Sequence, residues 1–231
     1  MAIIDAVARI QERIQEACIR SGRNLAEIQL MGVSKFHGIG EIEEAWHAGI
    51  RLFGESRVQE AVEKFIPFKR QYPETELHLI GSLQRNKVKT ALSLFEVIQS
   101  VDREVLISEL GTWTTTQDKP LGILLEFHTG EESKSGFPDE EHLYRATEKV
   151  LSYPNLVLRG LMTMAPYTDD RARIRAAFRS LVSARDKLVS RFPSCDWSCL
   201  SMGMSQDFEI AIEEGSTLIR IGTALFAERD L

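Results

Sequence analysis

Residues 29–35 read QLMGVSK, a short apolar run that ends in a lysine. Similar runs recur along the chain and predict further β-strands at 52–54, 76–80, 97–100, 121–127, 156–162, 198–202 and 218–222. Helical patterns lie between them, at 40–49, 57–71, 84–94, 103–115, 139–152, 168–191 and 206–214. Strands that alternate with helices of this length are typical of βαβ units and a parallel sheet.

The number of strands decides between the two common parallel folds. Eight strands within 231 residues favour a closed (β/α)₈ TIM barrel, because doubly wound open sheets usually stop at about five or six. One more amphipathic helix is predicted at 3–20, ahead of the first strand. No linker or repeat divides residues 1–231, so we expect one α/β domain with no second, β-rich domain after the barrel.

The net charge of −6 and the isoelectric point near 5.5 argue against a nucleic-acid partner, since proteins that bind polyanions usually concentrate Lys and Arg on one face. The exception is an arginine-rich segment in the predicted helix 168–191. We interpret these arginines as the solvent-facing side of an amphipathic helix, with nucleic-acid binding as the weaker alternative.

The N-terminus has no basic segment followed by an apolar one, and no apolar run approaches about 18 residues. We therefore predict a cytoplasmic protein that does not enter a membrane. The three cysteines do not form a disulfide framework, and the five histidines show no ligand spacing such as HExxH. No metal site is predicted.

Lys35 is the first candidate for chemistry. In a parallel barrel, functional groups gather at the carboxyl ends of the strands, and Lys35 ends the first predicted strand. A lysine half enclosed by apolar walls loses part of its hydration, which favours the neutral amine that attacks a carbonyl. Lys35 is therefore predicted to form a Schiff base. The alternative is a lysine that merely extends from a strand end into water.

Small and hydroxyl-bearing residues end the last two strands. Barrel closure places the eighth strand beside the first, and loops after strands seven and eight commonly bind phosphate in this fold. Gly222 and Thr223 end the eighth strand, and Ser205 follows the seventh, just before a helix predicted to begin near Gln206. We predict that Ser205, Gly222 and Thr223 bind a phosphate next to Lys35, and that the start of this helix adds to the attraction.

Arg220 interrupts an apolar strand, and strand alternation turns its side chain to the face opposite Ile219 and Ile221. A buried arginine is costly without a partner. A pyridine nitrogen would suit, because a permanently charged guanidinium keeps that nitrogen unprotonated and weakens the ring as an electron sink. A structural ion pair with a barrel carboxylate such as Glu126 is the alternative.

His78 alternates with apolar residues in the third strand, where a hydrogen-bonded core histidine is more common than a catalytic one. No catalytic residue is assigned from the sequence. Five residues at or near strand exits are predicted to contact a ligand ring or to line its pocket: Ser56, His78, Met162, Ser201 and Met202.

At these exits the sequence resembles a known family. The matching segments are 33–35 (VSK), 52–64 (LFGESRVQEAVEK), 78–87 (HLIGSLQRNK), 100–103 (SVDR), 132–137 (ESKSGF), 160–166 (GLMTMAP), 200–212 (LSMGMSQDFEIAI) and 215–226 (GSTLIRIGTALF). They run in order over nearly the whole chain and make it similar to the YggS/PROSC family of pyridoxal phosphate homeostasis proteins. Ser56 and His128 stand where that family commonly has asparagine, and because of Ser56 the ring contacts of its loop do not carry over directly.

The resemblance implies a single barrel of PLP fold-type III, similar to the N-terminal domain of alanine racemase. It also implies that pyridoxal 5'-phosphate (PLP) is the small-molecule partner and is bound through Lys35. The phosphate would lie near Ser205, Gly222 and Thr223, and the pyridine nitrogen would face Arg220. The family is associated with intracellular vitamin B6 and amino-acid homeostasis, and no catalytic reaction is established for it.

Three functions stay open at this stage. A PLP-binding regulatory protein without catalysis is favoured, because a racemase needs a second acid/base group on the opposite face of the substrate, usually from another domain or subunit. A PLP-dependent amino-acid racemase and a Schiff-base aldolase on the same barrel are the alternatives. PLP-requiring apo-enzymes are the candidate protein partners, and we expect a monomer.

Overall fold

The computed structural model describes residues 2–116, 119–130 and 135–226. Its strands are β1 Gln29–Val33, β2 Leu52–Glu55, β3 Glu76–Leu79, β4 Val97–Val101, β5 Leu121–Glu126, β6 Leu156–Met162, β7 Cys199–Ser201 and β8 Leu218–Ile221. Its α-helices are α1 Ile3–Ser21, α2 Ile39–His47, α3 Val58–Gln71, α4 Val88–Leu92, α5 Glu104–Thr114, α6 Glu140–Leu151, α7 Arg171–Arg191, α8 Phe208–Glu213 and α9 Thr223–Phe226. Short 3-10 turns lie at Leu25–Glu27 and Arg85–Lys87.

The eight strands are parallel and close into a barrel in chain order. β1 pairs with β2 on one side and with β8 on the other, where Gly32 lies opposite Ile221. The predicted (β/α)₈ barrel and the neighbourhood of its first and last strands are confirmed. Two elements were not predicted, the 3-10 turn before β1 and the short helix α9 after β8, because each is too short to show a hydrophobic period.

The barrel buries two apolar layers, one on each side of the sheet. The inner layer has two clusters. One comprises Met31, Val33, Leu52 and Leu218, and the other comprises Val97, Leu124 and Met162. Ile219 and Ile221 belong to the larger outer layer, between strands and helices. Side chains alternate along a strand, so Arg220 shares the inner face with Leu218, as the sequence predicted.

Charged contacts fix α8, the helix that follows β7. Arg175 and Arg179 of α7 both pair with Glu214, at 2.6 and 2.7 Å, and Arg13 of α1 pairs with Glu209 at 2.9 Å. Part of the arginine-rich face of α7 is thus neutralised by a neighbouring helix. Of the helices in the described ranges, none is long and apolar enough to cross a bilayer.

Candidate functional site

The chain turns immediately after β1, and this turn carries Lys35. Lys35 is exposed, and its Nζ lies 5.9 Å from the ring centroid of Phe36. Phe36 is also exposed and has a φ of 69°, in the left-handed region that non-glycine residues rarely adopt. The expected enclosure of Lys35 by apolar walls is wrong. Because β1 ends at Val33, the lysine belongs to the turn and extends into solvent.

Three charged side chains lie beneath this turn. The Nζ atom of Lys64 is 2.6 Å from Oε1 of Glu55 and 2.9 Å from Oε1 of Glu60. It also donates to the main-chain carbonyls of Ser34 and His37, at 2.8 and 3.2 Å. Burial raises the pKa of Glu55, and the neighbouring ammonium of Lys64 offsets part of that rise. This cluster was not predicted from the sequence, although a carboxylate at the end of the apolar strand LFGE was a signal for it.

The predicted phosphate-binding residues come together at the exits of β7 and β8. The main-chain N–H of Ala224 donates to Oγ of Ser205 at 3.2 Å. Gly222 is half-buried between β8 and α9, and Thr223 is exposed beside it. A Cβ atom built on Gly222 would lie 3.6 Å from its nearest neighbours, Cβ and O of Val33. Protein packing therefore does not require glycine there, and the position leaves room for a ligand.

The helix predicted near Gln206 begins later and is short. α8 starts at Phe208 and has only six residues. The residue before it, Asp207, is buried, and its carboxylate accepts a hydrogen bond from the main-chain N–H of Met204 at 2.6 Å. A negative charge precedes this helix, so its start does not add to the attraction of a phosphate, and that part of the expectation is wrong.

Arg220 is buried, with 4% of its surface exposed. It donates to O and Oγ of Ser201, at 2.7 and 2.6 Å, and to the carbonyl of Thr163 at 2.8 Å. Burial lowers the pKa of Arg220 to about 10, while the negative charges of Asp207 and Glu126 oppose the change, so the guanidinium stays charged at neutral pH. Its hydrogen-bond partners are hydroxyl and carbonyl oxygens, and Glu126 instead accepts from Oγ of Ser135 at 2.7 Å.

A chain of hydrogen bonds continues from Arg220 through the lumen of the barrel. Oγ of Ser201 donates to Oε1 of Gln99 at 2.6 Å. The Nε2 atom of Gln99 lies 2.8 Å from Nδ1 of His78, and Nε2 of His78 lies 2.8 Å from Glu76. Ser201 therefore orients Arg220 directly, and His78 is linked to Arg220 through Gln99 and Ser201. Gln99 was not predicted from the sequence, although a polar side chain within the apolar strand VIQSV was the available signal.

The remaining predicted contacts lie in different layers. Met162 is on the inner face with Val97 and Leu124, whereas Met202 is fully buried in the outer layer. Ser56 is half-buried after β2, where its carbonyl approaches the β3 exit. In the described part of the chain, no group of three or more His, Cys, Asp or Glu side chains is arranged to hold a metal ion. Three residues of the matching segment ESKSGF, 132–134, lie outside the described residues.

Comparison with known proteins decides the family. Residues 7–230 match the family model for the N-terminal domain of alanine racemase. The pyridoxal phosphate homeostasis protein of Aquifex aeolicus is 39% identical over 229 residues, 99% of each chain. This chain belongs to the family of pyridoxal phosphate homeostasis proteins. The Escherichia coli K12 member is 37% identical over 97% of this chain and 95% of its own.

Solved structures agree with this membership in the family. PipY of Synechococcus elongatus PCC7942, a structure with PLP bound, has a TM-score of 0.83 and 34% identity over 94% of this chain and 99% of its own. A protein from Bifidobacterium adolescentis has a TM-score of 0.91 and 36% identity. Alanine racemase from Bacillus anthracis has a TM-score of 0.71 at 14% identity, and the match covers 57% of that chain. This last likeness shows the shared barrel fold alone.

Proposed function

We propose that this protein binds PLP at the mouth of its barrel, holds it as a Schiff base on Lys35, and serves PLP homeostasis rather than catalysis. One observation carries the proposal. An exposed lysine follows β1, and a half-buried glycine that packing does not require follows the adjacent strand β8. An amine and a space for an anion are what an aldehyde phosphate needs from neighbouring strands.

The residues at the exits of β7 and β8 fit a phosphate. Gly222 would let the main chain approach phosphate oxygens closely, since no Cβ fills the space there. Thr223 is exposed and supplies a hydroxyl donor, and Oγ of Ser205 lies within hydrogen-bonding distance of the next main-chain N–H, that of Ala224. Exposure of these polar groups at the mouth supports a site that a small molecule can enter from solvent.

The residues of the lumen fit the ring. When bound, PLP supplies an electrophilic aldehyde and an electron-withdrawing pyridine ring. Arg220 would donate to the ring nitrogen, because its guanidinium carries more N–H donors than its three hydrogen bonds to Ser201 and Thr163 use. A charged arginine there would keep the nitrogen unprotonated, so the ring would stabilise a carbanion poorly. This supports storage or transfer of the cofactor over racemisation.

Lys35 would hold the cofactor through its side-chain nitrogen as a Schiff base, with the ammonium proton released to solvent and the aldehyde oxygen lost as water. The exposed position favours exchange, because a reversible imine that solvent can reach is open to hydrolysis or to another amine. This accessibility supports a holding function in which the cofactor is released again. PLP-requiring apo-enzymes are the partners we propose for it.

We also propose the domain organisation, the oligomeric state and the location of the protein. The barrel closes between β1 and β8 without help from other elements, which supports a single domain over residues 1–231. We propose a monomer in the cytoplasm, and size-exclusion chromatography with light scattering checks the monomer. A dimer would contradict that part of the proposal without touching PLP binding.

Absorption spectroscopy of the purified protein tests the central proposal. We expect an imine band after addition of PLP, its loss in Lys35→Ala, and its retention in Lys89→Ala, a matched change of an exposed lysine on α4. Borohydride reduction followed by mass spectrometry should place the adduct on Lys35. An adduct on another residue, such as Lys134, would overturn the site, and Lys134 lies outside the described residues. Racemisation of single amino-acid enantiomers well above that by free PLP would overturn the non-catalytic function.

A further inference from the structure

Phe36, the residue after the proposed attachment lysine, has an unfavourable backbone conformation. Its φ of 69° lies in the left-handed region, which costs free energy in any residue with a Cβ atom and persists only where surrounding contacts impose it. Phe36 is 45% exposed, so tight packing of its ring does not impose this conformation. The restraint must come from the polar contacts of the turn.

The main-chain N–H of His37 donates to the carbonyl of Ser34 at 3.1 Å within the turn, and the side-chain contacts of residues 34 and 36 lead to the charged cluster of Glu55, Glu60 and Lys64. The main-chain N–H of Phe36 donates to Oε1 of Glu60 at 2.6 Å. Oγ of Ser34 donates to Oε1 of Glu55 at 2.6 Å. The ammonium of Lys64 donates to the carbonyls of residues 34 and 37, which flank Lys35 and Phe36. Both ends of the turn and its centre are tied to one cluster.

Stability of the fold does not explain why this cluster is buried. Lys64 is 8% exposed and Glu55 is fully buried, and a buried ion pair often stabilises a fold no better than apolar residues of the same shape. The pair does fix the orientation of the groups that it binds, because hydrogen bonds between charged groups form only in a narrow range of geometries. Here the geometry that they fix is that of the turn 34–37.

The same turn touches the helix that follows the proposed phosphate site. The ring of His37 stacks on Phe226, with centroids 4.8 Å apart and an interplanar angle of 25°. Phe226 lies in α9, which begins at Thr223. The lysine turn and the proposed phosphate-binding residues are therefore held against one another by a direct ring contact.

We infer that Lys64 is a positioning residue, which clamps the strained turn 34–37 so that the amine of Lys35 is presented beside the exits of β7 and β8. The inference rests on the proposed function and deepens it. Lys64 forms no bond to the cofactor in this scheme; it acts through the carbonyls of Ser34 and His37. Loss of the clamp should leave binding of the phosphate intact and impair formation of the imine.

Two ligands separate those effects, PLP and 4'-deoxypyridoxine 5'-phosphate, which keeps the ring and phosphate but has no aldehyde. The affinity for PLP divided by the affinity for the deoxy analogue isolates the contribution of the imine. We expect Lys64→Met to lower this ratio at least tenfold. Lys69→Met, a matched change on the same helix, should leave it within twofold, because Lys69 pairs with Glu96 away from the turn. General loosening of the barrel would weaken both ligands together and leave the ratio unchanged.

Removal of Lys64 leaves Glu55 buried without its cation, so the variant can fail to fold. Glu60→Ala keeps the Lys64–Glu55 pair and removes the acceptor of the Phe36 N–H. We expect it to fold and to lower the ratio at least threefold, with Glu63→Ala, an exposed position on α3, as its control. An unchanged ratio in folded Glu60→Ala or Lys64→Met would overturn the inference. Equal affinities of the two ligands in the unaltered protein, with no reducible adduct on Lys35, would instead overturn the proposed function.

Discussion

The hydroxyl of Ser201 lies 2.6 Å from the carboxamide oxygen of Gln99, a residue 102 positions away in the chain. Oγ of Ser201 accepts a hydrogen bond from Arg220, and the amide Nε2 of Gln99 lies against Nδ1 of His78. Each donor in this series of hydrogen bonds therefore lies on the Arg220 side of its acceptor. Nδ1 of His78 must then accept, so His78 carries its proton on Nε2 and donates to Glu76. This hydrogen bond lowers the pKa of Glu76. Hydrogen bonds aligned in one direction polarise and strengthen each other.

Gln99→Leu should destabilise the protein. The substitution would leave the Ser201 hydroxyl and Nδ1 of His78 buried without their partner, at a cost of about 1–3 kcal/mol in the free energy of unfolding. Urea denaturation measures this cost. Gln11→Leu, an exposed position on α1, is the control and should change stability by less than about 0.5 kcal/mol. Equal effects at both positions would mean that the lumen chain contributes nothing specific.

Gly222→Ala should separate ligand binding from folding. The added Cβ would make ordinary contacts with Val33 at 3.6 Å, so we expect the free energy of unfolding to stay the same or to rise by about 0.4–1 kcal/mol. Titration with PLP should show weaker binding, because the methyl group occupies the proposed phosphate position. Gly81→Ala is the contrast, since its Cβ would lie 2.2 Å from the carbonyl of Ser56 and should cost about 1–3 kcal/mol of stability. Unaltered PLP affinity in Gly222→Ala would contradict the proposed phosphate site.

Thr223→Ala should weaken retention of PLP by about 1–3 kcal/mol, through loss of a charge-assisted hydrogen bond to the phosphate. Thr223 is exposed, so the unliganded protein should keep its stability. Titration with PLP measures the change in affinity, and Thr90→Ala, an exposed threonine on α4, is the control. Identical affinities of the two variants would remove Thr223 from the proposed site.

Glu126→Gln should change how stability depends on pH. Burial raises the pKa of Glu126, against a partial opposing effect of the Ser135 hydrogen bond. A carboxyl group with a raised pKa binds more protons in the folded state than in the unfolded state. The free energy of unfolding therefore falls as pH rises from the ordinary pKa of glutamate to the folded one, by about 1.4 kcal/mol for each unit between them.

The glutamine variant lacks this titration, so it should gain stability relative to the unaltered protein as pH increases from about 4 to 7. Urea denaturation at several pH values measures the difference. Glu12→Gln, an exposed position on α1, should give a curve parallel to that of the unaltered protein. A parallel curve for Glu126→Gln would show that Glu126 titrates alike in both states.

The sequence by itself determined the barrel and the chain positions of its exits. Apolar runs with helical patterns between them fix strand number and order, because hydrophobic period and length are local properties. The placement of Gly222 and Thr223 after β8 and of Ser205 after β7 followed from the same pattern, as did the inward side chain of Arg220. These features depend on neighbours in the chain or on the fixed order of strands in a barrel.

Tertiary structure alone decided what surrounds each of those positions. It made Lys35 exposed on a turn, and it joined Ser34 to Lys64 and Ser201 to Gln99 across 30 and 102 positions. Such pairs arise from the three-dimensional approach of side chains on different strands and helices, and no local period encodes them. A polar residue within an apolar strand shows that a partner is needed, but only the closed barrel shows which partner meets it.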